Sequence, residues 1–401
     1  MSDTPRRPSD FETVEERRAR VSGQVRAWCE DSRIDGRHEQ LSDDAAVLVA
    51  SGYLDQQTRE VLAARRRAGK TIPSIGGFGV LRGISDEYGE VARKVDAMKP
   101  GPAQLVFKYR ATELAKKLRT MRAAVVHSNS HYASGVRQIR RDRRQGVHLD
   151  PQQRDALFAA LQRTPAPSGG RWLSEAGNLV RNTAADRLAD LSGTGAVAGL
   201  GRRVAGVIGR GTDPEHDEFA DPYDTLLFLA GMLYDRVDGS ATWHSEHFAI
   251  QRHQLDLAQE LTQIAVDAIA LRAITAELAD ADRSAHGDAA REQIRSRQLA
   301  LRPVWDQLVD RVAALARIGD LVGQAEVQLR SVSAVRRTMS LDSRIDDLIA
   351  RSGNRELSAE NTHFVGDQFT GVDELLGTYQ NALYGDIAAL TAWSDSGERE
   401  G

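Results

Sequence analysis

The chain has 401 residues, 27% of them charged and only 5% aromatic, with a formal net charge of −4. The single Cys29 excludes an internal disulfide and any thiolate-rich metal site, and the scarcity of aromatics favours helix-on-helix packing by aliphatic side chains. The N-terminus is polar and no run nears the roughly 18 apolar residues of a membrane span, so a cytoplasmic protein is expected, with peripheral membrane attachment left open.

In chain order, residues 1–40 read as a charged, partly disordered N-terminus. Ser42 caps a short apolar helix, Asp43 to Ser51, and Asp55 caps the next, which has Val61 and Leu62 on its apolar side and Gly69 at its end. Ile72 to Gly79 reads as a loop. A helix follows from about Ser85 to Met98, stopped by Pro100-Gly101-Pro102. Phe107, Ala111, Leu114, Leu118, Met121 and Val125 mark one face of a further helix, and Tyr132, Val136 and Ile139 repeat the pattern. Asp150-Pro151 starts another helix, since proline at the first helical position sacrifices no hydrogen bond. Residues 164–220 form a Pro/Gly-rich linker, and its segment Gly193–Gly211 carries seven glycines. That segment reads as a flexible connector or as an amphipathic stretch for a lipid surface. Asp221-Pro222 opens the helix of Leu226, Leu227 and Met232.

Two ladders of aliphatics at intervals of seven then follow: Ile250, Leu257, Ile264, Leu271 and Leu278, and Ile294, Leu301, Leu308, Leu315, Val322 and Leu329. A seven-residue repeat keeps one apolar seam turned to a partner helix. The ladders turn near Ala281–Asp288, and Pro303 should kink the second or start a new helix. The intervening seam positions Gln254, Leu261, Ala268 and Thr275 are mixed, which suits a bundle better than a free two-stranded coil. Helices at Leu341–Ser352 and Val372–Trp393 complete the chain. No alternating strand run is evident. The expected fold is all-α, an elongated helical bundle with a long antiparallel coiled-coil-like hairpin. Its expected regions are 1–40, 41–163 with the basic helices, the 164–220 linker, and 221–393 with the hairpin and C-terminal helices.

Motifs for chemistry are weak. Ala68-Gly-Lys-Thr71 resembles the end of a phosphate-binding P-loop, but the required earlier glycine is Ala64 and no strand precedes it. His127 and His131 would share a helix face at i and i+4, yet Ser128 stands where a zinc peptidase needs glutamate. Trp243-His-Ser-Glu-His247, with His253, Glu246 and Asp256 near, is the densest histidine group but lacks the paired Glu-x-x-His spacing of di-iron bundles. Asp213-Pro-Glu-His-Asp-Glu218 lacks calcium-loop spacing. No catalytic, metal-binding or cofactor-binding residue is therefore assigned, no cofactor is expected, and the chain is expected not to be an enzyme.

Charge is unevenly spread. Lys108–Arg144 holds eleven basic residues against Glu113 and Asp142, whereas 211–292 holds seventeen acids against five bases. Lys116, Lys117, Arg119, Arg122, Arg137, Arg140, Arg141 and Arg144 are the candidate anion- or partner-binding residues, because arginines repeated at i, i+3, i+4 and i+7 make a cationic stripe suited to phosphates. The stripe could serve nucleic acid, an anionic membrane surface, a protein partner, or the chain's own acidic 211–292 region.

Ile345-Asp-Asp-Leu-Ile-Ala-Arg-Ser-Gly353, Asp367-Gln-Phe-Thr-Gly-Val-Asp373 and Ala382-Leu383 resemble the tail of the toxic-anion (tellurite) resistance family, the TelA-like proteins. Lys94-Val-Asp-Ala-Met-Lys-Pro-Gly101 is similar to a phrase in that family's N-terminal half, and the long helices around Glu277-Leu-Ala-Asp-Ala-Asp282 are consistent with its helical middle. The Gly-rich 166–220 region has no counterpart in the family pattern. The resemblance implies a cytoplasmic helical protein tied to toxic-anion or envelope-stress resistance, and transfers no catalytic residue. The expected function is a helical scaffold or interaction protein that associates with a protein partner or itself through the hairpin; the alternative is binding of nucleic acid or anionic lipid by the 108–144 helices.

Overall fold

In a computed structural model of the chain, residues 14–168 and 216–353 are described, with side chains through 331. Helix α1 (Val14–Asp31) leads through β1 (Arg33–Asp35) to α2 (Asp43–Ala50) and, after one 3-10 turn at Ser51–Tyr53, to α3 (Gln56–Arg67). Helices α4 (Phe78–Ala97), α5 (Pro102–Val126), α6 (Val136–Arg144) and α7 (Pro151–Leu161) follow. Strand β2 (His216–Glu218) then precedes α8 (Pro222–Asp238), the short α9 (Ala249–Gln254), α10 (Leu257–Ser284) and α11 (Asp288–Gly353). The fold is all-α. The glycines of 193–211, the helix expected at Val372–Trp393 and the phrases at 367–373 and 382–383 lie outside the described residues.

The helix starts sit where their caps direct. Ser42 accepts from the Ala45 amide, Asp55 from Thr58, and Asp221 from Asp224. Asp150 forms a reciprocal capping box with Gln153. Gly69, at φ +66°, takes the left-handed conformation that ends α3.

The chain divides into two units, Met1–Glu326 and Val327–Gly401. One core runs through the first unit from Val21 to Val322. Helix α8 lies at its centre: Leu226 to Gly231 are buried without a break, as expected of a helix surrounded on all sides. It packs on α1, α2 and α10. Helix α10 also meets the Ser51–Tyr53 turn so closely that a Cβ on Gly52 would lie 2.7 Å from the Ala265 carbonyl oxygen. Of the second unit, Val327–Gly353 is described and is helical.

Several sequence expectations need correction. In the charged N-terminal region the described part is helical from Val14, which composition did not indicate: α1 places Val21, Val25 and Cys29 in the core, at intervals of four that a charge count hides. Helix α4 begins at Phe78 rather than near Ser85, since Phe78, Leu81 and Ile84 share a buried stripe. A short antiparallel pair exists, Arg33 with Glu218, Ile34 with Asp217 and Asp35 with His216; three residues are too few to show alternation. The first residues of the expected linker are fixed, with Thr164 buried and the Ser168 amide donating to the Glu218 carbonyl at 2.7 Å. Helix α11 runs unbroken through Pro303 and through 341–352, so neither a restart nor a separate helix occurs there.

The ladders also prove broader and shorter than a single seam. Ile250 lies on α9 and is 70% exposed. Leu257, Leu261, Ile264, Ala265, Ala268 and Leu271 are buried on α10, and Leu308, Val309, Val312, Ala313, Leu315 and Val322 on α11. Two adjacent rows per helix suit packing against more than one neighbour. Residues 285–287 join the two helices, and Arg311 of α11 donates to Glu260 and Asp267 of α10, both at 2.8 Å.

Cys29 is fully buried, and burial pushes its thiol up to about 12. The thiolate is the reactive form, so the native protein is expected to show no thiol reactive with Ellman's reagent at pH ~8, and one after denaturation, matching the single cysteine. The sign for stability follows: an unfolded thiol ionises first, so the folded state loses this contribution as pH rises above the ordinary thiol value of 9.0. Native-state labelling of Cys29 would show that α1 does not stay docked.

Candidate functional site

Helix α6 carries Arg137, Arg140, Arg141, Arg143 and Arg144 within nine residues, and all five are exposed. None makes an ion pair with a described residue, whereas the one acid of the helix, Asp142, is turned inward and bonds Lys70 Nζ at 2.8 Å. The spacing explains this division. Arg137, Arg140, Arg141 and Arg144 fall on one side of a helix, and Asp142 falls on the other.

Two further arginines hold the ends of this helix in place. Arg65 lies on the buried stripe of α3 with Thr58 and Leu62 and is only 2% exposed. Its guanidinium donates to the carbonyls of His131 at 3.0 Å and Thr71 at 3.2 Å, before α6, and to that of Val147 at 3.0 Å, after it. Arg154 of α7 donates to Leu149 at 2.9 Å and to Val126 at 3.3 Å. Both guanidinium groups lie against the Tyr132 ring, with centroid distances of 5.2 and 4.1 Å. The segments entering and leaving α6 are thus tied to α3 and α7. Burial lowers the Arg65 guanidinium from its ordinary value, and burial, then Arg143 and Arg154, lower His148; the surroundings of α6 are electropositive.

The candidates on α5 are less uniform. Lys116 and Arg119 are exposed, Lys117 is half-buried, and none pairs with a described carboxylate. Arg122 pairs with Asp155 of α7 at 2.7 Å, and Arg110 with Glu87 of α4. The acidic arm is engaged elsewhere. Asp221 and Asp224 bind Arg272, Asp224 also binds Arg82, and Glu260 and Asp267 bind Arg311. Among the described residues no ion pair joins 108–144 to 216–292, so docking of the basic helices on the chain's own acidic region, one of the alternatives for the stripe, has no ion pair to support it there.

The other motifs resolve differently from their sequence form. His127 follows the end of α5 and His131 lies in a turn, so they do not share a helix face; His131 Nδ1 is 2.9 Å from the hydroxyls of Ser128 and Ser130. His244 Nε2 donates to the Asp238 carbonyl at 2.7 Å. Among the described residues no group of three His, Cys, Asp or Glu side chains could hold a metal, and no helix is long and apolar enough to cross a membrane. Gly69-Lys-Thr71 follows a helix rather than a strand, and Lys70 is committed to Asp142.

Sequence reasoning found the arginine stripe but missed Arg65, Arg154, Lys70 and Asp142, which present it. Arg65 was detectable as a charge seven residues after Thr58 on an otherwise buried stripe. The partners 66 and 82 residues away were not. No protein-family model matches the chain, and no curated protein or solved structure matches it either.

Proposed function

We propose that the protein is a non-enzymatic helical scaffold that docks on the phosphates of nucleic acid through α6, with Lys116, Lys117 and Arg119 of α5 as additional cations. One observation carries this reading: five exposed arginines on a clamped helix have no carboxylate partner among the described residues, while the acid beside them faces inward. Guanidinium groups suit phosphate oxygens because their fork of donors binds two at once, and such contacts carry no sequence preference. Exposed Ile274, Leu299, Val304 and Leu321 on α10 and α11 support a second element of the same scaffold, association with a protein partner or a second copy. The toxic-anion or envelope-stress setting rests on the resemblance of the 94–101 and 345–353 phrases alone.

The test is an anisotropy titration of labelled DNA and RNA, with vesicles of anionic and neutral lipid in parallel. Six phosphate contacts predict a loss of about a thousandfold in affinity between about 50 and 200 mM salt. The variant R137E/R140E/R141E/R144E is expected to abolish binding and leave the melting temperature unchanged, because those side chains are exposed. Undiminished binding by the variant, or no binding at the lower salt, overturns the reading. Binding to anionic vesicles alone replaces nucleic acid by lipid as the partner.

A further inference from the structure

The root of α6 borders a cavity of about 390 Å³ whose lining includes Lys70, Thr71, Ser130, His131, Tyr132 and Gln138. Three segments far apart in sequence build it: the loop after α3, the turn between α5 and α6, and the inner side of α6. Its volume is that of a small-ligand site, and its side-chain chemistry is weighted toward donors. Lys70, Thr71, Ser130, His131, Tyr132 and Gln138 all offer an N–H or O–H group. Asp142 is the one carboxylate on the wall, and Lys70 holds it at 2.8 Å.

Two observations point to an anion. Arg65 lies beneath this wall, bonding the carbonyls of Thr71 and His131, and it has no carboxylate within ion-pair distance among the described residues. Its guanidinium is held by carbonyls and by the Tyr132 ring, neither of which carries a full negative charge, so its positive charge is only partly offset. In addition, Tyr132, one of the lining residues, is 4% exposed, and its buried hydroxyl has no hydrogen-bond partner among the described residues. With Lys70 and Asp142 cancelling each other, the buried charge beside the cavity is that of Arg65.

We infer that this cavity binds a phosphomonoester group, with Thr71, Ser130 and Gln138 donating to its oxygens over the buried charge of Arg65. The inference does not depend on the docking role of α6, since the cavity uses the inner side of the helix and the stripe the outer. The phosphate can come from a small metabolite or from the 5′ end of a nucleic acid; both present the same dianionic group.

Calorimetric titration of the full chain with inorganic phosphate and with glycerol 3-phosphate tests it. Saturable binding in the millimolar range or tighter is expected, weakened about tenfold or more in Thr71→Val and in Gln138→Leu, as for loss of one hydrogen bond to a charged group. Thr71 and Gln138 are exposed, so both variants are expected to keep the wild-type circular dichroism. Arg144→Glu, outside the cavity, is expected to bind phosphate normally while weakening nucleic-acid docking, which separates the two sites. Stronger binding of a 5′-phosphorylated oligonucleotide than of its 5′-hydroxyl counterpart assigns the group to a nucleic-acid end, and equal binding assigns it to a small phosphate ester. Absence of saturable heat, or equal affinity in wild type, Thr71→Val and Gln138→Leu, overturns the inference.

Discussion

Arg272→Met is expected to lower the stability of the first unit by about 3–5 kcal/mol, the usual cost of stranding one member of a buried ion pair. Arg272 of α10 reaches Asp224 Oδ1 at 2.9 Å and Asp221 Oδ2 at 2.6 Å. Asp224 is 2% exposed, and its only other cation among the described residues, Arg82 of α4, stands at 3.4 Å and also serves Asp86. Removing Arg272 therefore leaves a carboxylate in the middle of the core with one distant partner. Methionine keeps much of the aliphatic volume, so the loss reads out charge rather than packing.

The pH dependence of that variant has a definite sign. Burial raises the Asp224 carboxyl above its ordinary value, against the pull of Arg82 and Arg272. Without Arg272 the rise is greater, so the folded variant holds the proton more tightly than the unfolded chain. Stability tied to that proton is present below the unfolded value of 3.8 and is lost as pH rises through the folded one. The deficit of Arg272→Met should thus be largest near neutrality and shrink as pH falls toward 4, provided urea midpoints are compared with wild type at each pH. Adding Asp224→Asn, which removes the stranded charge, should recover most of the loss. A double variant no more stable than Arg272→Met would mean that the arginine acts through packing.

Arg65→Met is expected to cost about 3 kcal/mol, because it leaves the carbonyls of Val147, Thr71 and His131 without their donor at about 1 kcal/mol or more each. Arg65→Lys should recover only part of this, since an ammonium cannot span three carbonyls with a planar fork. The same variants should loosen α6, seen as faster hydrogen exchange at 131–147 than elsewhere in the unit. A cost below about 1 kcal/mol with unchanged exchange would show that water replaces the guanidinium and that the arginine does not position α6.

Local rules were legible in this sequence to the extent that they are local. Ser42, Asp55, Asp150 and Asp221 announced helix starts, Gly69 a helix end, and Leu226, Leu227 and Met232 a helix after Asp221, and each does what its residue type dictates. The arginines of α6 were visible because a helix puts them on one face whatever surrounds it. Charge-rich stretches were read less well. Helix α1 resembles a solvated tail because only Val21, Val25 and Cys29 face inward among many charged neighbours. Ile250 fell on the first ladder by arithmetic, yet the chain breaks at Leu255-Asp256 and turns it to solvent.

The sequence by itself determined the all-α class, the helix caps and the separation of basic from acidic residues, since each depends on neighbours within a turn or two of helix. Tertiary structure decided how those charges are spent. Asp224 finds Arg272 and Arg82 across the core, Asp142 finds Lys70, and Arg65 collects carbonyls from both sides of α6. These contacts join residues tens to more than a hundred positions apart, and no periodicity records them. Charge pairing acts through space rather than along the chain, so only the folded backbone determines which cations are neutralised and which remain for a partner.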